Sequence, residues 1–348
     1  MDKPISFEKL NLSSKKPDRV RVGVSAFAYS AYVSGVPFKE FCLDPQKAMD
    51  LQLWVYDLHK IDGKPSYSIP HWGGWDFGGE LLFPSSPKYA NPYLVKRPVN
   101  NANDIQKLEI PKIQMAPFAS RKFKFSKISI DKGFGVSLPA GSPLGITGSI
   151  LGPELLLRWF HKEPSLVHHI LRLSTDYILE ISRELIKEFG AENCSAFSTY
   201  PWECHSLVSP IIFEKFSLPY VIEIHKTLIQ LGIKKWVIHL CGDHKKNLCY
   251  WVNEIPLLSG TVFTIGHEMD IKETADIFGE QCIIGGNLST SLLQMGNPQQ
   301  VFLEAGAILK KMMHNPEGFI LMPSCTISPT TPPVNLHAMI KAAREFKL

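Results

Sequence analysis

In the second half of the chain, short apolar runs alternate with longer stretches whose apolar residues recur every three or four positions. "GFGVSL" (133–138), "CSAFSTY" (194–200), "WVIHLC" (236–241), "TVFTI" (261–265), "CIIGG" (282–286) and "GFILMP" (318–323) have strand length. Each is rich in β-branched or aromatic residues and bounded by Gly, Pro or polar positions. The clearest helix between them runs from Pro164 to Gly190 and carries Ile170, Tyr177, Ile178, Ile181, Leu185 and Phe189 on one stripe, which is core. Two earlier runs, "RVGVSAF" (21–27) and "LWVYDL" (53–58), bring the predicted strands to eight. Strands and helices in alternation predict an α/β fold, a (β/α)8 TIM barrel, with an open parallel sheet as the alternative. Residues 63–141 fit that repeat badly. Their aromatic-rich "YSIPHWGGWDFGGELLFPSSPKY" (67–89) reads as a long insertion over one mouth of a single barrel domain, 1–348.

Composition narrows the class without naming a function. The chain has 348 residues, 45% hydrophobic and 20% charged, enough to bury a large core. Its formal charge of +4 comes from 37 basic and 33 acidic side chains with no block of like charge, which argues against a nucleic-acid partner. No apolar run reaches membrane-spanning length, and "MDKPISFEKLNLSSKKPDRV" lacks a signal-peptide core, so a cytoplasmic protein is expected. Seven irregularly spaced cysteines read as mostly reduced thiols, and for any one of them the plain reading is a small buried hydrophobe.

In a parallel barrel, chemistry collects where strands end. His239 and Cys241, in "VIHLCGD" (237–243), lie at such an end, and the alternation of side chains along a strand sends both to the same side. Cys325 follows the last predicted strand, and closure of a barrel carries it back toward the middle strands. One imidazole and two thiolates are natural zinc ligands that leave a position open for a substrate. H-x-C alone is a weak signal; three coinciding strand ends strengthen it.

"SPLGITGSILGPELLLRWF" (142–160), "LVSPIIFEKFSLPYVIEIHKTLIQLG" (207–232), "IIGGNLSTSLLQMGNPQQV" (283–301) and "GFILMPSCTISPTTPPVNLHAMIKAARE" (318–345) resemble the uroporphyrinogen decarboxylase superfamily of (β/α)8 barrels. One branch of it decarboxylates uroporphyrinogen. Another consists of zinc-dependent methyltransferases that work with corrinoid proteins, marked by H-x-C and a distant cysteine shortly before a Pro-rich turn and an Asn. His239, Cys241 and Cys325, followed by "TPPVN" (331–335), match that marker. The regions where the decarboxylase branch carries an arginine cluster and an aspartate read "SAFAYSAYVSG" and "KIDGKPSYSIP", with no arginines to hold a polyacid.

The resemblance implies zinc on His239, Cys241 and Cys325, and cobalamin carried by a partner corrinoid protein, since no D-x-H-x-x-G motif occurs in this chain. Tyr200, Trp202, His205, Tyr67, His71, Trp72 and Trp75 are expected to form an aromatic lining, with Asn287 orienting a ligand. That lining favours a phenyl methyl ether as methyl donor, hence O-demethylation, over an anionic thiol of the coenzyme M kind. Glu203, His267 and Glu268 are the candidate acids for the departing oxygen. The plain readings are a loop carboxylate for Glu203, loop structure for His267 and Glu268, and a subdomain core or dimer contact for the aromatics of 67–77. A barrel that binds a tetrapyrrole or corrinoid without turnover is the rival from another class.

Overall fold

The structure, a computed structural model, describes residues 19–86, 88–89 and 91–346. Seven strands form one parallel sheet: β1 (Arg21–Val22), β4 (Val136–Pro139), β5 (Cys194–Thr199), β6 (Trp236–Leu240), β7 (Thr261–Ile265), β8 (Cys282–Leu288) and β9 (Phe319–Pro323). Their order is β1-β9-β8-β7-β6-β5-β4. The hairpin β2 (Glu80–Leu82) and β3 (Tyr93–Lys96) stands apart from it. Helices follow the main strands, the longest being Pro164–Phe189, whose Ile170, Tyr177, Ile178, Ile181 and Leu185 are buried as their spacing requires.

The eighth place in the ring belongs to an extended segment without a ladder, Ile61–Ser66, between β1 and β4. Asp62 N–H donates to the Val22 carbonyl at 2.8 Å, and the Asp62 carboxylate takes Val22 N–H at 2.9 Å and both Arg19 guanidinium nitrogens at 2.8 Å. On the other side Lys64 Nζ reaches the Gly135 carbonyl at 3.4 Å and Ser195 Oγ at 3.3 Å. The α/β barrel is thus closed here by one backbone bond and the Asp62 carboxylate on the β1 side and by the Lys64 side chain on the β4 side, where strands elsewhere are closed by backbone ladders.

Two strand expectations change. "LWVYDL" is the last part of a helix, Pro45–His59. Asp44 accepts the Gln46 and Lys47 amides as N-cap and Pro45 occupies the first turn, so the helix is fixed upstream of the apolar run. Trp54 and Leu58 are 52% exposed, whereas Val55 and Tyr56 are buried, a helical phase in place of an alternating one. "RVGVSAF" keeps only two strand residues before a helix starts at Phe27.

The aromatic region is ordered as a second core. Phe27, Phe41, Tyr67, Phe118 and Phe125 pack together, with Trp72, Trp75 and Phe83 around them. Trp72 lies 4.8 Å from Phe118 and Tyr67 lies 5.2 Å from Phe125 between ring centroids, distances of direct aromatic packing. Asp76 locks this core to the barrel. Its carboxylate caps the helix Pro117–Asp131 by accepting the Phe118 and Ala119 amides, and it takes the Tyr177 hydroxyl at 2.8 Å. Burial pushes Asp76 up to about 7 in spite of these bonds. Among the described residues no helix is long and apolar enough to cross a membrane.

Candidate metal centre

Register decides which side chains meet inside the ring. His239 on β6 pairs with Thr199 on β5 and Thr264 on β7, and Thr264 pairs with Gly285 on β8. These residues share the inward face. On β4, β5 and β6 the inward Pro139, Phe197, Thr199, Val237 and His239 are partly accessible, whereas the outward Leu138, Ala196, Ser198, Trp236, Ile238 and Leu240 are buried under helices. The pattern marks a hollow, solvent-reached interior on this side. Phe197, flanked by strands on both edges, is still 38% exposed.

At the strand ends His239, Cys241 and Cys325 each present a ligand atom within 4.8 Å of the others. Cys325 reaches the group because Ser324 N–H continues the ladder onto the Leu288 carbonyl at 2.7 Å and Ile327 N–H ties the next turn to the Ser25 carbonyl of the β1 end. Gly242, at φ +87°, turns the chain sharply after Cys241, a conformation that glycine adopts without strain.

The sulfurs of Cys241 and Cys325 are 3.7 Å apart and all seven cysteines are free thiols. Two sulfurs held by one tetrahedral zinc at about 2.3 Å each lie roughly 3.8 Å apart, so the pair already has the bite of a zinc site. His239 completes the fit. Thr264 Oγ1 spends its proton on the Ile238 carbonyl at 3.0 Å, so toward His239 Nδ1, 2.9 Å away, it can only accept. The proton therefore sits on Nδ1, and Nε2, buried and without a partner among the described residues, offers a bare lone pair. The S–H bond from Cys241 holds the Cys325 thiol well below its ordinary range, against the opposing effect of burial. The same bond, with burial, pushes Cys241 up.

Around this triad the structure sorts the other expected residues. His267 and Glu268 stand beside it: His267 Nδ1 is 3.4 Å from Ser324 Oγ and 3.6 Å from Glu268 Oε2, both side chains are nearly half exposed, and the Glu268 carboxylate folds over Gly266 against Gly242. Glu203 is elsewhere than expected. It is fully buried; Oε1 accepts Ser142 Oγ at 2.7 Å and Ser217 Oγ at 3.1 Å, Oε2 has no protein partner, and burial pushes the group up to about 7. Its bonds brace three loops.

The expected lining is largely packing. Tyr200 is 1% exposed and its hydroxyl meets His225 Nε2 at 3.2 Å, behind the strand, because residue 200 falls in the outward phase of β5. Trp202 covers Gly145 and Gly148 of the helix Pro143–Leu151. His205 Nε2 accepts the Lys246 amide at 3.0 Å. Asn287 Nδ2 donates to the Gly266 and Met269 carbonyls at 3.2 and 2.8 Å, shaping the loop that carries His267 and Glu268. Trp72, Tyr67 and Trp75 belong to the second core, and His71 precedes the short helix there. Thr264 and Phe197 were missed; only the β5–β6–β7 register reveals them.

Known proteins give a consistent comparison. The family model described as Uroporphyrinogen decarboxylase (URO-D) matches residues 11–346. "Methylcobamide:CoM methyltransferase MtbA" of Methanosarcina acetivorans is 26% identical over 265 residues, 74% of this chain and 72% of that protein. "Uroporphyrinogen decarboxylase" of Coxiella burnetii (strain Dugway 5J108-111) is 24% identical over 327 residues, 89% of this chain and 84% of that protein. Among solved structures, a methyltransferase from Methanosarcina mazei superposes with a TM-score of 0.78 over 96% of both chains at 17% identity, a likeness of fold.

Proposed function

The chain belongs to the uroporphyrinogen decarboxylase family, and from that premise we propose that it is a zinc-dependent methyltransferase exchanging a methyl group with the cobalt of a corrinoid carried on a separate protein. The observation that carries this reading is the triad itself. A buried imidazole nitrogen without a partner and two sulfurs at metal-site spacing have no structural use as they stand. Methylcobamide methyltransferases among the relatives support the same chemistry. The decarboxylase activity named by other relatives is disfavoured on the residues. The segment Ala26–Gly35 contains no arginine, and Asp62 is held by Arg19 and Arg344 in a buried ion pair.

His239, Cys241 and Cys325 would hold the zinc, which when bound supplies a Lewis acid that activates a thiol or eases the departure of an alkoxide. The protein's own contributions follow from position. Thr264 fixes the imidazole, Asn287 shapes the loop bearing His267 and Glu268, and either of those two groups lies where it can pass a proton to a departing oxygen. Phe197 gives the hollow interior one accessible aromatic wall, one ladder row below His239. An aromatic methyl ether, with O-demethylation as the reaction, is the donor we favour on that ground.

A second reading, methyl transfer from the corrinoid to a thiol, draws on the names of the relatives, which include "Methylated-thiol--coenzyme M methyltransferase" of Methanosarcina mazei. Purified protein mixed with a reduced corrinoid protein separates the two: an aryl methyl ether that methylates the cobalt supports the first, and a thiol that demethylates methyl-cobalt supports the second. Cys241→Ala and Cys325→Ala are expected to lose zinc and either activity while keeping the fold. A metal-free double variant that remains active would sink the proposal, and unchanged corrinoid binding with no turnover in the wild type would favour a non-catalytic binding barrel.

A further inference from the structure

The gap in the barrel wall between Ile61–Ser66 and β4 brings two lysines together. Lys122, on the helix Pro117–Asp131, is only 5% exposed, and among the described residues no carboxylate or hydrogen-bond acceptor engages its ammonium. It borders a small, partly open cavity of about 10 Å³ together with Lys64, Ser66, Ser126, Ser129, Gly135 and Ser137, room for a single water-sized body. Ser126, one turn further on the same helix, is 1% exposed, and its Oγ has no partner among the described residues. The Gly135 carbonyl already accepts Ser129 Oγ at 2.9 Å and lies 3.4 Å from Lys64 Nζ.

What this cavity has to offer is donors. Lys122 brings an unengaged ammonium and Ser126 an unengaged hydroxyl, while the carbonyl at hand is taken. The ammonium and hydroxyl groups at the cavity can donate to an anion, and an anion, unlike a water, would also supply a charge opposite to that of Lys122. A buried ammonium without a counter-charge is costly, and a second lysine beside it adds repulsion. Burial, with the charge of Lys64, accordingly pushes Lys122 down to about 7.

We propose that this cavity is a binding site for a small monatomic anion of the chloride class, held between Lys122 Nζ and Ser126 Oγ, which supplies the counter-charge that seals the wall of the barrel. The site is separate from the metal centre and does not depend on the methyl-transfer reading. Crystals of the full-length protein grown in bromide test it directly. Diffraction at the bromine edge is expected to show one anomalous peak within hydrogen-bonding reach of both atoms. In solution, exchanging gluconate for chloride at constant ionic strength should raise the melting temperature saturably. Lys122→Met should abolish that dependence, and Ser126→Ala should raise the half-saturating chloride concentration several-fold. Density without an anomalous signal, meaning water, or no density at all overturns the proposal whatever the melting curves show. The wild-type diffraction experiment decides the matter even if Lys122→Met fails to fold.

Discussion

Thr264→Val is the sharpest probe of the proposed zinc site because it leaves all three proposed ligands in place. The exchange keeps the branched shape and removes the one oxygen that receives His239 Nδ1–H at 2.9 Å. Two consequences follow. The Nδ1 proton is left in a half-buried site without an acceptor, at a cost of about 1–3 kcal/mol, and the imidazole is free to turn or to take the other tautomer, which puts the proton where the metal should bind. Losing such a partner of a ligating histidine typically costs about 10- to 100-fold in metal affinity, equivalent to roughly 1.4–2.8 kcal/mol. The assay is competition for zinc between the apo-protein and a chromophoric chelator, with thermal melting to verify the fold. Thr264→Ser, which keeps the oxygen, should bind within a few-fold of wild type. If Thr264→Val binds zinc as tightly as wild type, the tautomer argument is wrong, and His239 either does not ligate through Nε2 or is held by something else.

Other outcomes follow from the same geometry. Phe197→Ala should leave zinc content unchanged and raise KM for an aryl methyl ether about threefold to tenfold, the loss of one aromatic contact; an unchanged KM would remove the ring from the substrate's path. Glu203 has a folded-state pKa raised to about 7, above its unfolded value, so it contributes least harm below about 4.5 and destabilises progressively as pH climbs to 7. Glu203→Gln, measured by urea unfolding, should therefore gain on wild type between pH 4.5 and pH 8 by up to about 3 kcal/mol, and a constant difference across that window would refute the assignment. Gly148→Ala would place a Cβ 2.6 Å from the Trp202 ring. Overpacking of about 1–3 kcal/mol should outweigh the better helix propensity, lowering the melting temperature and shifting tryptophan fluorescence.

What the sequence disclosed and what it hid divide along a physical line. Strands β4 to β9 were legible because an apolar run bounded by Gly and Pro needs no tertiary information to be read. Within the triad, His239 and Cys241 were legible for a related reason, since period-two alternation is local and sends both to one face, whereas Cys325 was reached only through barrel closure and the family marker. "LWVYDL" misled because five apolar residues in six fit a buried strand and a helix turn equally, and the deciding Asp44–Pro45 cap lies eight to nine residues upstream of Leu53. The aromatics of 67–77 had two readings at the outset, and the packing of Tyr67, Trp72 and Trp75 into the second core follows the plain one.

The lining went astray for a different reason: register is a property of pairs of strands. Tyr200 follows Thr199 directly, and one residue is enough to turn its ring from the interior to the helix layer, where His225 takes its hydroxyl. The residues that do face inward, Phe197 and Thr264, carry no motif. Register also bears on the ligand. Ser195, which meets Lys64, shares the inward face with Thr199 but lies four residues earlier on β5. At about 3.3 Å per residue that is roughly 13 Å along the strand from the His239 row. An acid group anchored by Lys64 would be too far from the triad for a short thiol acid to bridge. Phe197 lies between the two levels, so a ring seated on it would reach toward the proposed zinc site without needing a charge at its far end, and on that ground the proposed donor is a neutral aromatic ether.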